Sequence, residues 1–208
     1  GTAYLSSMWV RSDEHRRAVG VDLDKKVLRW GERRNRKPLG EDAKRMKLVE
    51  ADVLRSGAKA DIVATLNFSH FIFKTRDELL RYFKHARKCV KPGGIMLLDA
   101  YGGPGAMTEC KEVRHFGDFD YVWEQEPIDP LSNCVVNHIH FRLHNGTRLD
   151  RAFTYEWRLW SVIELSELLI EAGFVDVLLW FETEQGFDAD LDTSDLDAWV
   201  TYLVAIRD

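Results

Sequence analysis

Short apolar runs alternate along this chain with longer segments in which apolar residues recur every three or four positions. Four of the runs, Ala18–Val21, Leu48–Val53, Asp61–Asn67 and Ile95–Asp99, show little polar alternation. Such runs are typical of strands that are buried on both faces of a parallel sheet. The pattern therefore predicts at least four inner strands in the first half of the chain.

Helices are predicted between these strands by their start and stop signals. A capping box at Thr75–Glu78 opens an amphipathic helix that ends before Lys91–Gly94, and a second box at Ser161–Glu164 opens one that ends at Gly173. A shorter helix follows Asp24, a residue type that favours the N-cap. Strand, helix and strand thus follow in turn, which predicts an α/β fold with a doubly wound, mostly parallel sheet.

The pattern changes between residues 104 and 160. Tyr121–Gln125, Cys134–Leu143 and Arg151–Trp157 have the composition of strands, and Asn145-Gly146 is typical of a two-residue hairpin turn. We expect an antiparallel β insertion here that acts as a lid over the binding edge of the sheet.

A single domain is expected over residues 1–208, with residues 1–103 and 161–208 as its core. Gly1–Leu5 is similar to the second half of a glycine-rich turn that enters a helix, and no strand precedes it. We therefore expect a first strand upstream of Gly1 that is missing from this sequence. Two final strands are predicted after the second capping box, Val175–Phe181 and Trp199–Ile206.

Acidic residues end two of the predicted inner strands. Asp22 follows the first run directly, and Asp52 lies near the end of the second. The carboxyl ends of parallel strands are where open α/β sheets bind ligands, and a carboxylate there can accept two hydrogen bonds from a ribose diol. The alternative is that Asp22 only caps the following helix, but Asp24 is available for that purpose.

Charge is distributed unevenly in a chain whose net charge is −5. Between Lys25 and Lys47 there are ten basic and three acidic residues, which indicates either a surface for nucleic acid or a solvated helix face. Glu182–Asp197 holds seven acidic and no basic residues and is predicted to be an exposed loop. Three cysteines without a C-x-x-C pair and the lack of a long apolar run favour a cytoplasmic protein that does not enter a membrane.

Together these motifs resemble those of class I S-adenosylmethionine-dependent methyltransferases, particularly bacterial ones that act on small molecules. The resemblance covers the whole chain and depends on the order and spacing of motifs that are individually weak. It is carried by Gly1-Thr2, the Val-Gly-Val-Asp run ending at Asp22, Ala51–Val53, Lys91–Gly94 and Leu165–Phe174. It implies a seven-stranded Rossmann-like sheet whose final strand inserts antiparallel, and S-adenosyl-L-methionine as the cofactor.

The resemblance also implies roles for individual residues. Asp22 would hold the ribose, Asp52 the adenine amino group, and Asn67 the loop beside the methionine part. The positions that complete the implied cofactor site are Gly1, Thr2, Leu23, Val53 and Phe68. The chain departs from the family pattern at Ala3, where a glycine is common, and in lacking the first half of the glycine motif.

A nicotinamide dinucleotide is the alternative cofactor. Its pyrophosphate requires a full G-x-G-x-x-G turn at a helix N-terminus. After Gly1-Thr2 the chain continues Ala-Tyr-Leu-Ser, with no later glycine at that spacing. The second strand-end acid, Asp52, also suits the adenine amino donor better than it suits a nicotinamide cofactor, so the sulfonium cofactor is favoured.

Methyl transfer is an in-line displacement that needs alignment and exclusion of water more than a strong acid or base. A base becomes useful only when the acceptor must lose a proton, as a hydroxyl must. His70 and Tyr101 are the candidate catalytic residues. The alternatives are that His70 is a packed ring with one hydrogen bond and that Tyr101 is a wall of the pocket.

Aromatic residues are frequent in the predicted insertion. Their rings are able to line a pocket for an apolar or cationic acceptor, although packing in the core also explains them. The candidate substrate pocket consists of Tyr101, Trp123, Tyr155 and Trp157. His138 and His140 share a strand face but lack a third ligand at a diagnostic spacing, so no metal site is predicted.

The sequence thus favours S-adenosylmethionine-dependent methyl transfer to a small-molecule acceptor. The alternatives are a methyltransferase-fold binding or assembly module without turnover, an RNA methyltransferase, and an NAD-dependent dehydrogenase. A nucleic-acid substrate is disfavoured because Asn67 is followed by Phe-Ser-His rather than by two prolines and an aromatic residue. The oligomeric state cannot be predicted.

Overall fold

The computed structural model describes residues 1–208 as two compact units, Gly1–Lys59 and Ala60–Asp208. The first unit contains two helices, α1 (Tyr4–Arg11) and α2 (Lys25–Gly31), and two strands, β1 (Ala18–Asp22) and β2 (Met46–Glu50). Its remaining helical segments are a π-helical turn at Glu32–Arg36 and 3₁₀ segments at Lys37–Arg45 and Val53–Arg55.

The two strands of the first unit pair in parallel. Ala18 lies opposite Met46 at one end of the ladder and Asp22 opposite Glu50 at the other. Val10, Leu39 and Met46 form the buried core beneath this pair. The strand predicted over Leu48–Val53 is observed as β2, which ends three residues earlier, at Glu50. It ends there because the Asp52 side chain caps the helical turn at Val53–Arg55.

The second unit contains two helices, α3 (Arg76–Cys89) and α4 (Val162–Glu171), and nine strands. Both helices begin with the predicted capping boxes, at Thr75 with Glu78 and at Ser161 with Glu164. The strands are β3 (Ala60–Thr65), β4 (Val90–Gly102), β5 (Cys110–His115), β6 (Phe119–Gln125), β7 (Cys134–Leu143), β8 (Arg148–Arg158), β9 (Asp176–Thr183), β10 (Gly186–Asp188) and β11 (Trp199–Ile206).

Five of these strands form one mixed sheet in the order β10-β9-β11-β4-β3. Strand β3 pairs with β4 in parallel, and β11 lies between β4 and β9, antiparallel to both. The final strand therefore inserts in the antiparallel direction that the resemblance implies. The single seven-stranded sheet is not observed, because β1 pairs with β2 in one sheet and β3 with β4 in another.

The segment predicted as an antiparallel insertion forms a four-stranded antiparallel sheet, β5-β6-β7-β8. Strand β5 was not predicted, because its residues Cys110–His115 have no regular apolar alternation. The turn between β7 and β8 spans His144–Gly146 rather than two residues, and Thr147 and Leu143 close it through a backbone hydrogen bond of 2.9 Å. No helix of the structure is long and apolar enough to cross a bilayer.

Candidate functional site

Asp22 lies at the carboxyl end of β1, where its backbone carbonyl accepts the amide hydrogen of Ala51 at 3.1 Å. Its Oδ1 accepts the amide hydrogen of Asp24 at 2.7 Å. The Asp24 side chain caps α2 by accepting from Lys26 and Val27. Asp22 therefore does not cap the helix, and its carboxylate is available for other donors.

Asp52 lies at the same end of the neighbouring strand, two residues after the last β2 residue. Its Oδ1 accepts the amide hydrogen of Leu54 at 2.8 Å, and its Oδ2 has no hydrogen-bond partner. Leu23 and Val53, which follow the two acids in the chain, are 70% and 37% exposed. The first unit thus presents two carboxylates and two apolar side chains at one end of a parallel strand pair.

Gly1 and Thr2 precede Ala3, which caps α1 in a left-handed conformation (φ 56°). The Thr2 carbonyl accepts a hydrogen bond of 2.8 Å from the Asn35 side-chain amide, which is buried. A Cβ on Gly31 would lie 2.4 Å from the same carbonyl oxygen. Gly31 and Asn35 therefore hold the glycine turn in place, a role that sequence reasoning missed because both residues lie about 30 positions away.

Asn67 and Phe68 lie in the loop after β3, and both have left-handed backbone conformations (φ 64° and 54°). The Asp99 carboxylate holds them, with Oδ2 accepting the amide hydrogen of Asn67 at 2.7 Å and Oδ1 that of Phe68 at 2.8 Å. Burial raises the pKa of Asp99, and these two backbone donors lower it in part. Asp99 was not proposed from the sequence as a site residue, although it too is an acid that closes a buried run.

Trp157 is the centre of a ring cluster in the second unit. Its ring centroid lies 4.8 Å from that of Tyr155, 6.1 Å from that of Trp123 and 6.3 Å from that of Tyr101. Phe68 joins the cluster through an edge contact with Tyr101 at 4.8 Å. The four predicted pocket residues are thus brought together, and they meet the Asn67–Phe68 loop.

Two buried polar groups lie in this cluster without hydrogen-bond partners. Asn137 is fully buried, and neither atom of its amide has a partner. The Tyr101 hydroxyl, which the Asn137 amide faces, also lacks a partner of hydrogen-bond geometry. Burial raises the pKa of Tyr101, so this hydroxyl remains protonated at neutral pH. Asn137 was not selected from the sequence as a site residue, because its position opposite Tyr155 depends on the register between β7 and β8.

His70 is 1% exposed and lies against the rings of Phe71 and Phe83. Neither ring nitrogen has a hydrogen-bond partner, so the single hydrogen bond expected for a packed histidine is absent. Burial lowers the pKa of His70 to about 3. The ring is therefore neutral and enclosed, and the structure does not support its predicted use as a base.

His138 and His140 lie on the opposite face of the four-stranded sheet. His138 contacts the Thr154 hydroxyl at 2.9 Å and Glu126 at 3.0 Å. The Nδ1 of His140 accepts the amide hydrogen of Arg151 at 3.2 Å. These contacts give both rings structural roles within the sheet.

Residues 1–98 match the family model described as a methyltransferase domain. Over 107 residues the chain is 32% identical to the putative methyltransferase YqeM of Bacillus subtilis (strain 168), and the match covers 49% of this chain. The chain spans only 42% of the length of that relative.

Solved structures of the same fold cover nearly all of the chain. An S-adenosylmethionine-dependent methyltransferase from Clostridium acetobutylicum ATCC 824 has a TM-score of 0.69 at 19% identity, over 93% of this chain and 76% of that one. The CcbJ methyltransferase from Streptomyces caelestis has the same TM-score at 14% identity, over 99% and 98%. CalS10, an amino pentose methyltransferase from Micromonospora echinaspora solved with S-adenosylmethionine bound, has a TM-score of 0.59 at 10% identity, over 98% and 89%.

At these identities the structural similarities show the fold, whereas the family match concerns the sequence itself. Residues 1–98 are therefore similar in sequence to the methyltransferase domain family, and the chain has the fold of S-adenosylmethionine-dependent methyltransferases.

Proposed function

We propose that this protein transfers a methyl group from S-adenosyl-L-methionine to a small-molecule acceptor. The observation that carries the proposal is the placement of Asp22 and Asp52 at the same end of the parallel pair β1 and β2. S-adenosylmethionine, when bound, supplies a methyl group on a positively charged sulfur.

The residues present fit an adenosyl group. A carboxylate has about four acceptor positions, and the Asp24 amide uses one of those on Asp22, so this side chain has capacity for the ribose hydroxyls. The free Oδ2 of Asp52 is an acceptor for the adenine amino group. Leu23 and Val53 expose apolar surface beside these acids, as contact with a purine ring requires. Gly1 and Thr2 of the same unit would complete this site.

Titration with S-adenosylhomocysteine by isothermal calorimetry tests this assignment. We expect Asp22→Asn and Asp52→Asn each to weaken binding by roughly 10- to 150-fold, the equivalent of about 1.5–3 kcal/mol for charge-assisted hydrogen bonds. Asparagine retains the Oδ1 acceptor for the backbone, so these variants keep the local turns. Glu41→Gln, at a 97% exposed carboxylate of the same unit, is the matched control. Absence of binding by the wild type would contradict the proposal.

The acceptor is proposed to bind beside the ring cluster of Tyr101, Trp123, Tyr155 and Trp157, with residues 104–160 covering it as a lid. None of the polar groups in this cluster is a ready base, since the Tyr101 hydroxyl remains protonated and the Asn137 side chain is a neutral amide. An acceptor that attacks as a neutral amine needs no base, because its proton leaves to water after transfer. We therefore propose an amine acceptor.

Three further arguments support an amine. Aromatic faces attract cationic nitrogen, which is the form of the methylated product. The second unit also carries 25 acidic and 14 basic residues, so its field attracts ammonium groups. Among the fold neighbours, CalS10 is an amino pentose methyltransferase. Transfer of labelled methyl groups to paired amines and alcohols of the same carbon skeleton tests the proposal, with methylation of the amine alone as the expected result.

A binding module without turnover is the second candidate function. It is favoured by the close packing of the ring cluster, in which Trp157 is 2% exposed and Asn137 is fully buried. This candidate predicts binding of S-adenosylhomocysteine with no methyl transfer to any member of the acceptor panel. The same two experiments therefore separate it from the enzyme.

A further inference from the structure

The segment Lys25–Lys47 of the first unit carries basic side chains that the proposed methyl transfer does not use. Each of its three acidic residues is paired with a basic residue of the same segment: Glu32 with Arg36, Glu41 with Lys44, and Asp42 with Arg45. Lys25 is paired with Glu50. The remaining basic side chains have no acidic partner and are exposed: Lys26, Arg29, Arg33, Arg34, Lys37 and Lys47.

Five of these six side chains lie on the continuous helical segment that runs from α2 through the π-helical turn to Lys37, where the 3₁₀ segment begins. Spacings of three or four residues separate Lys26 from Arg29, Arg29 from Arg33, and Arg33 from Lys37, so like charges lie next to one another along the helix. Such an arrangement is unfavourable in the isolated protein, and an anion is the ligand that relieves it.

Trp30 lies within this row of charges and is 45% exposed. Its helical neighbours at positions −4, +3 and +4 are Lys26, Arg33 and Arg34, all of them unpaired. An exposed indole surrounded by guanidinium groups is suited to a ligand that offers both phosphates and flat rings. The bases of a duplex are stacked on one another, whereas those of a single strand are free to stack on an aromatic side chain.

We propose that this basic face, defined as Lys26, Arg29, Trp30, Arg33, Arg34 and Lys37, binds single-stranded nucleic acid. The arginines and lysines contact the phosphates, and Trp30 stacks on a base. The charge distribution of the chain supports this assignment, because the first unit contains 15 basic and nine acidic residues in a protein that is acidic overall. The proposal is independent of the proposed methyl transfer.

Fluorescence anisotropy with a 5′-labelled 20-nucleotide oligouridylate at several salt concentrations tests it. Contacts from the five basic residues of this face to five phosphates give a plot of log affinity against log salt with a slope of roughly −3.5, at about −0.7 per phosphate. We expect the triple variant Arg29→Ala, Arg33→Ala, Arg34→Ala to weaken binding at least tenfold and to change the slope by about 2. Trp30→Ala is expected to weaken binding by about 5- to 150-fold without changing the slope.

Lys44→Ala is the matched control, because Lys44 lies in the same segment but is already paired with Glu41. It should change the affinity less than twofold. Wild-type protein that fails to bind the oligonucleotide at 50 mM salt, or variants that bind as well as the wild type, would overturn the proposal. Competition by polyglutamate of equal charge that is as effective as unlabelled RNA would also overturn it, in favour of an acidic protein partner.

Discussion

His70 gives the sharpest physical prediction in this structure. A histidine that is neutral and enclosed in the folded state accepts a proton freely once the chain unfolds. Burial holds the pKa of His70 at about 3, whereas an unfolded histidine titrates near 6.5. Its folded pKa is lowered, so the folded state is favoured fully above pH 6.5 and loses stability as the pH falls towards 3.

The size of the effect follows from this difference. Each pH unit below 6.5 costs about 1.4 kcal/mol of unfolding free energy, so the loss reaches about 2.7 kcal/mol at pH 4.5. Replacing His70 by leucine removes this contribution without leaving a buried polar atom unpaired. We therefore expect the difference in unfolding free energy between His70→Leu and the wild type to grow by about 2.7 kcal/mol in favour of the variant between pH 7.5 and pH 4.5.

Urea unfolding at half-unit pH intervals measures this difference. His15→Leu is the control, because the His15 side chain is 87% exposed and its replacement should leave the pH profile parallel to that of the wild type. A difference for His70→Leu that does not change with pH would refute the reasoning, since it would mean that the folded protein protonates His70 freely. A second consequence concerns catalysis: His70→Leu should retain methyl transfer, because the enclosed ring does not reach an acceptor.

Three further substitutions test other parts of the structure. Gly31→Ala should lower the unfolding free energy, measured in urea, by about 1–3 kcal/mol and weaken binding of S-adenosylhomocysteine, because the new Cβ meets the Thr2 carbonyl. Gly57→Ala is the control and should do neither, because a Cβ at Gly57 has open space. Asp99→Asn should cost about 1–3 kcal/mol in the same assay, since it removes one of two acceptors that hold the loop after β3. Asn137→Leu should leave the melting temperature unchanged or raise it, because the native amide is unpartnered; a clear fall would show that Asn137 makes a hydrogen bond in solution.

The strand-and-helix order was predictable because it depends on local patterns. The capping boxes at Thr75 and Ser161 and the apolar runs ending at Asp22 and Asp99 involve neighbouring residues, whose chemistry is visible in the sequence. The antiparallel insertion of β11 came from the family resemblance, and the pairing of β11 with β4 and β9 confirms it. Helix and strand propensities alone give no information on which strands are neighbours.

The sequence left out contacts that join distant parts of the chain. Nothing near Asn35 indicates that it reaches Thr2, and nothing near Asp99 indicates that it holds two amides 31 and 32 positions earlier. His70 was given a possible catalytic role because its ring is chemically versatile, but the packing of Phe71 and Phe83 decides its protonation. Side-chain chemistry is thus readable from the sequence, whereas burial, which sets the pKa, is a property of the fold.

The Asp52 carboxylate of the first unit and the Asn137 amide of the second differ in their access to water, and this difference affects ligand binding. The free acceptor of Asp52 lies beside solvent-exposed apolar side chains, so water satisfies it until a ligand replaces the water at little cost. The amide of Asn137 is fully buried with no partner, and an unpaired buried amide is unfavourable by about 1–3 kcal/mol. An acceptor that made hydrogen bonds with Asn137 and Tyr101 would recover that free energy only after the surrounding rings had moved apart. Cofactor binding should therefore be rapid and little affected by mutation of the rings. Acceptor binding should be slow, and Trp157→Leu should accelerate it. Stopped-flow measurements of the binding rates of the two ligands test this difference.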